Sequence, residues 1–170
     1  MACTFGEAAM KFCRSAWLLV VVVAGCHSES WRSNPSVEDI PTLIQELKEA
    51  DEPTRIAAAE SLGHLGADAK SALPALVLAL RDEGESLRQS AIRAIIAIGP
   101  DVRSMNDLSV SLKDSDNTVR AMSATALGQL GPVARQTIPA LRLALQDTDE
   151  AVQKEASEAL MRIDPASAPR

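Results

Sequence analysis

Tyrosine is absent from the 170 residues, and phenylalanine and tryptophan occur only twice each. All four of these aromatics stand early, as Phe5, Phe12, Trp17 and Trp31, and beyond them the only aromatic ring is the imidazole of His64. A sheet-rich core built on aromatic and β-branched packing is therefore disfavoured. Apolar residues still make up 46% of the chain, enough for a sizeable core. That core has to be Leu, Ile, Val and Ala, which suits close-packed helices.

Cysteine is just as scarce and just as localised. Cys3, Cys13 and Cys26 are the only three. Everything after residue 26 lacks a thiol, which excludes a disulfide framework, zinc-type Cys spacing and a thiol nucleophile from that part. Excess positive charge is missing too. The formal net charge is -6, and discounting Lys11, Arg14 and Glu7 at the N-terminus makes the remainder more acidic. A nucleic-acid surface needs a basic stripe and, for single strands, stacking aromatics. Neither is present, so no nucleic-acid partner is expected.

Catalytic constellations are also missing. The two histidines, His27 and His64, have no second His or Cys placed to share a metal. No Ser near His64 sits in a Gly-x-Ser-x-Gly turn. Gly63 and Gly66 end a helical pattern and do not open one, so no phosphate-cradling loop is present. The carboxylate pairs Asp114/Asp116 and Asp147/Asp149 fall in turns, where they read as helix caps, and Asp82/Glu83 reads as a solvated turn. The expectation is a non-enzymatic protein with no catalytic residue, metal, cofactor or small-molecule substrate.

What the chain does have begins at its N-terminus. Lys11 and Arg14 precede an apolar run, Ala16 to Val23, of signal-peptide length and shorter than the ~20 residues a spanning helix needs. Val23-Ala24-Gly25-Cys26 follows and resembles the lipobox of bacterial lipoproteins. That resemblance implies cleavage before Cys26, lipidation of its thiol, and lipid anchoring of an exported protein in the cell membrane or outer membrane. His27 stands where an Asp favours inner-membrane retention in some bacteria, which points by the same resemblance to the outer membrane. Residues 1–9 fit a signal peptide poorly, so Met10 is the expected start. Residues 1–25 are thus read as the signal peptide and 26–36 as a polar, Ser-rich tether. Trp31 within it is either an interfacial anchor or an ordinary linker residue.

From residue 40 the sequence repeats at spacings of 33, 32 and 33. Leu47, Leu80, Leu112 and Leu145 are equivalent, and so are Leu43, Leu76, Leu108 and Leu141 four positions earlier. Eleven positions after the reference stand Ala58, Ala91, Ser123 and Ala156, and fifteen after it Leu62, Ile95, Leu127 and Leu160. A period of this length marks a solenoid of stacked units. Each unit reads as two helices. Pro41, Pro74 and Pro139 open the first, a turn with Asp leads to the second, and Gly66, Gly99 or Gly131 stops it. Boundaries fall at about 40–72, 73–104, 105–137 and 138–165, with 166–170 as a disordered tail.

The strings ESLRQSAIRAIIAIG and DNTVRAMSATALGQLG resemble HEAT repeats, in particular the short bacterial type also found in phycobilin lyase subunits. The resemblance implies an all-α superhelix of four helix pairs. It also implies Asp–Arg bridges between units, from Asp116 to Arg88 or Arg120 and from Asp51 to Arg55 or Arg88, with Gly84 and Gln153 interrupting the ladder. Gln45 and Glu46 in the first unit, and Lys154, Glu155 and Glu158 in the last, read as polar caps of a complete four-repeat monomer. In the second unit, Ile95-Ile96-Ala97-Ile98 replaces the Leu-Gly-x-Leu pattern and one residue is missing before Met105. A local change of curvature is expected there.

In HEAT-like proteins the second helices line the concave side, where partners bind. The corresponding positions here are Ala57, Glu60, His64, Ser90, Arg93, Ala97, Met122, Thr125, Gln129, Glu155, Glu158 and Arg162. Glu60, His64, Ser90, Arg93, Ala97, Met122, Thr125 and Gln129 form the candidate partner-binding set, on what is otherwise a plain solvated face. The expected function is a membrane-tethered scaffold for protein–protein interaction in the bacterial cell envelope. The alternative is an accessory or regulatory subunit of an enzyme complex, phycobilin-lyase-like.

Overall fold

Each repeat spacing places Leu or Ile three and four residues apart, so one stripe of every helix is apolar and must be covered. The computed structural model describes residues 35–167. Among them are eight α-helices in four pairs. These are α1 (Ile40–Glu49), α2 (Glu52–Leu65), α3 (Leu73–Ala79), α4 (Glu85–Ile98), α5 (Met105–Ser111), α6 (Asn117–Leu130), α7 (Ile138–Ala144) and α8 (Glu150–Ile163). The units open at Ile40, Leu73, Met105 and Ile138, as the repeat spacing predicts. Cys26 and the sequence-derived signal peptide lie outside the described residues, as do most of the tether and the last three residues.

Within each unit the two helices pack on one another, and α2, α4, α6 and α8 continue as a row in which each touches the next. The core is one cluster. Leu62, Leu76, Ile92, Leu108, Leu127, Leu141 and Leu160 are fully buried, with Ala58, Ala91 and Ala156 between them. All of these core residues lie between Ile40 and Ile163 and pack on one another, so the segment carries a core of its own. Truncating one of the leucines to alanine costs about 2–5 kcal/mol.

Glycine ends three of the second helices through positive φ, at 56° for Gly66, 91° for Gly99 and 61° for Gly131. The connectors that follow are 3-10 turns, Gly66–Ala72, Val102–Ser104 and Gly131–Thr137, a feature the repeat pattern did not predict. Pro132 stands in the first turn of the last of these.

Glycine has a second role where helices of adjacent units meet. A Cβ on Gly63 would lie 3.1 Å from the Cα of Ala94, and one on Gly128 would lie 3.0 Å from the Cα of Ala159. The equivalent position of α4 is Ile96, a partly buried residue packed against the core. A branched side chain there holds the next helix off. Accordingly α4 and α6 make less extensive contact than α2 with α4 or α6 with α8.

Arginines tie the units together, but through different aspartates from those the resemblance implied. Arg55 pairs with Asp82, Arg88 with Asp114 and Arg120 with Asp147. Arg88 donates from Nε and Nη2 to both oxygens of Asp114, at 2.8 and 2.9 Å, and Arg120 does the same to Asp147 at 2.8 Å each. Their Nη1 groups reach back to carbonyls of their own units, Asp82 and Glu83 for Arg88, Asp114 and Ser115 for Arg120.

The expected partners Asp116 and Asp51 are therefore corrected. Asp116 caps α6, accepting from the Val119 amide at 2.8 Å, and Asp51 stands at the N-terminus of α2. The bridging aspartates sit two residues earlier, where one carboxylate oxygen accepts the amide N–H two residues on. Asp82 takes Gly84 and Asp114 takes Asp116, each at 2.9 Å, and Asp147 takes Asp149 at 3.0 Å. That local bond aims the carboxylate at the arginine of the preceding unit. Gly84 occupies a cap position, so it does not interrupt the ladder. Gln153 stands where the next arginine belongs and keeps only the backward contact, to the Asp147 carbonyl at 2.7 Å.

These bonds set the protonation behaviour of the acids. Burial pushes Asp114 up, but Arg88 and the Asp116 amide outweigh it and hold the carboxyl below its usual range. Burial likewise opposes the Gly84 amide and Arg55 at Asp82, and again the bonds prevail. Asp147 is lowered first by its bonds to Arg120, against burial.

Candidate interaction surface

The second helices present one face away from their first-helix partners, and most of the sequence-derived set is found on it. Glu60 and His64 on α2, Arg93 and Ala97 on α4, and Gln129 on α6 are exposed, while Met122 and Thr125 are half-buried. Ser90 is the exception. It is 3% exposed and is removed from the set. α4 is flanked by α2 on one side and α6 on the other, and the crevice closes over a short serine. Met122, at the equivalent position of α6, is long enough to reach out of it.

Polar groups on this face are already organised. His64 Nδ1 lies 2.8 Å from the carbonyl of Glu60. A carbonyl only accepts, so Nδ1 carries the proton and Nε2 points elsewhere. Arg93 donates to Gln89, and Gln89 in turn donates to Glu85 and to Asp116 of the next unit, at 3.1 to 3.2 Å. Thr125 donates to Glu155 at 2.7 Å across α6 and α8.

Between α6 and α8 runs a groove of about 470 Å³ lined by Asn117, Thr118, Ala121, Met122, Thr125, Asp149, Ala151 and Glu155. Its floor is apolar and its ends are acidic. The Asn117 amide, donating to Asp149, holds that carboxyl below the usual range. Sequence reasoning found Met122, Thr125 and Glu155 in this groove but missed Thr118, Ala121 and Ala151. Extending the same helical stripe one turn toward the N-terminus of each helix would have reached them.

Among the described residues no group of His, Cys, Asp or Glu is arranged to hold a metal ion, and no helix is long and apolar enough to cross a membrane. The surface can offer hydrogen bonds, charge and a shallow apolar floor. His64 faces a backbone carbonyl.

Comparison with known proteins agrees with this architecture. No match was found among curated protein sequences. Among solved structures, an engineered protein is 23% identical with a TM-score of 0.64, over 77% of this chain and 64% of its own. The chain therefore spans just under two thirds of that protein. The CpcE–CpcF complex of phycocyanin lyase from Nostoc is 24% identical with a TM-score of 0.57, over 75% of this chain and 79% of that one. A designed armadillo repeat protein in complex with the peptide (KR)4 is 20% identical with a TM-score of 0.64, covering 77% and 70%. At these identities the likeness concerns the fold. A family model for HEAT repeats matches residues 40–110 and 105–170, nearly the whole repeat array. With its paired helices, recurring Leu and Ala positions and inter-unit arginine ladder, the chain belongs to the HEAT-repeat family.

Proposed function

We propose that the protein is a non-enzymatic, lipid-anchored scaffold of the bacterial cell envelope that holds a protein partner on its second-helix face. The observation that carries the binding part is the groove between α6 and α8, on the same row of second helices that carries exposed Arg93 and Gln129. Repeat proteins of similar fold support it, since one was solved with a bound peptide and another as a complex of two subunits. The anchoring part is supported by Lys11, Arg14, the apolar run to Val23 and the lipobox-like Val23-Ala24-Gly25-Cys26. Without Trp or Tyr on this face, the interface lacks the aromatic anchors that dominate tight complexes and is of modest affinity.

A photo-crosslinking residue at Gln129 in the native host should trap a discrete partner. Arg93→Glu combined with Met122→Glu should weaken that capture by about tenfold or more, the scale of losing one or two interface side chains. Equal capture by the double variant would move the partner to another surface.

The likeness to the phycocyanin lyase pair favours a second reading, an accessory subunit of an enzyme complex. Under it the trapped partner would be an enzyme subunit whose turnover depends on this protein.

A further inference from the structure

The first helices form a layer unlike the second. Contact between successive units runs through the second helices, whereas α3, α5 and α7 stand further apart. Two repeated rows run along their outer side. Leu78, Val110 and Leu143 occupy equivalent positions and are 63%, 66% and 65% exposed. Three residues after the first two of these, and after Gln45 in the first unit, stand Lys48, Arg81 and Lys113, all exposed. Arg142 adds a further exposed cation beside Leu143.

Two of the acids near these rows are paired with arginines. Asp107 accepts from Arg81, and Asp114 is held by Arg88. Between the helices opens a groove of about 680 Å³, with Leu80, Val110 and Ala140 in its lining beside Arg81, Lys113, Asp107 and Asp114. This face thus sets an exposed aliphatic row beside the exposed cations Lys48, Lys113 and Arg142.

We propose that this first-helix face docks on the surface of an anionic lipid bilayer. The aliphatic row enters the headgroup boundary, and Lys48, Lys113 and Arg142 meet lipid phosphates. Each half of the pattern fits that occupant: exposed aliphatic side chains gain by leaving water, and cations gain near an anionic leaflet. A second copy fits less well, because two such faces brought together would oppose their cations. The second-helix face would then be turned to the side not taken by lipid. This inference does not rest on lipidation of Cys26, and its test omits that residue.

The fragment 33–170, which carries its own core, should float with vesicles of phosphatidylglycerol and phosphatidylcholine and not with phosphatidylcholine alone. Binding should weaken as salt is raised. Lys48→Gln with Lys113→Gln should lower the partition coefficient by about tenfold or more. Leu78→Ser, Val110→Ser and Leu143→Ser together should do the same. Lys154→Gln, on the second-helix row, should bind as the unmodified fragment does. All variants change exposed side chains, and circular dichroism would verify that they are folded. Absence of binding to anionic vesicles, or full binding by the folded variants, would overturn the proposal. Loss of a dimer on removing the aliphatic row, without change in vesicle binding, would overturn it in favour of a second copy.

Discussion

Arg88 clamps Asp114 with two parallel hydrogen bonds, Nε to Oδ2 at 2.8 Å and Nη2 to Oδ1 at 2.9 Å, while its third nitrogen holds carbonyls of its own unit. The guanidinium therefore fastens the loop of one repeat to the loop of the next. Both side chains are only 11% exposed, so the pair is protected from screening. Arg120 and Asp147 repeat the arrangement one unit on.

Breaking this clamp on one side leaves a largely buried charge without its partner. Arg88→Ala and Arg120→Ala should each destabilise the fold by about 2–4 kcal/mol. Arg81→Ala, whose side chain is 68% exposed in its pair with Asp107, should cost less than about 1 kcal/mol. Urea denaturation of the three variants provides the comparison. A double-mutant cycle with Asp114→Asn should return a coupling energy for Arg88 that is absent between Arg88 and Asp147.

Acid should loosen the same joints. Asp82, Asp114 and Asp147 all lie below their usual range when folded. The unfolded chain then binds more protons than the native one as pH falls past the ordinary carboxylate value near ~4. Their contribution is fully present above that value and is lost as pH drops through the lowered folded values. The melting temperature should accordingly be flat near neutrality and fall below about pH 4. Asp114→Asn with Asp147→Asn should start less stable and show a shallower acid slope, as measured by thermal melts across the range. An unchanged slope would mean these pairs do not control acid sensitivity.

Close approach of the second helices depends on a missing side chain. Gly128→Ile should destabilise by about 3 kcal/mol, because the new Cβ would meet backbone at Ala159 and the rest of the side chain has no space. The reverse change at the equivalent position of α4, Ile96→Gly, should also cost stability, through lost burial and helix entropy. If α6 and α8 separated as α4 and α6 do, the Thr125–Glu155 bond should break. Comparison of the Gly128→Ile structure with the parent would reveal that opening.

Much of this architecture was readable in advance, for a physical reason. A repeated unit puts the same residue into the same environment four times, so the core positions of Leu47, Leu80, Leu112 and Leu145 reinforce one another, as do the glycines that end the helices. The ladder was read two residues out of place. Asp51 and Asp116 look the part because each stands four residues before an arginine, yet Asp116 caps its own helix and takes an amide of Gln89, not an arginine, from the neighbouring unit. The bridging role of Asp114 and Asp147 depends on a turn geometry that composition does not reveal. Ser90 was misplaced because period alone gives a side chain's direction, and burial in a crevice depends also on its length and its neighbours. The 3-10 connectors carry no apolar period strong enough to announce them.

Lipid on Cys26 is proposed to hold this HEAT-repeat protein at a membrane. Intact mass of the mature protein from its native host, beside a Cys26→Ser variant, tests it most directly. The account predicts a species beginning at Cys26 with added acyl mass, and loss of both processing and acylation in the variant. An unprocessed and unacylated native protein would contradict it and leave the accessory-subunit reading in its place.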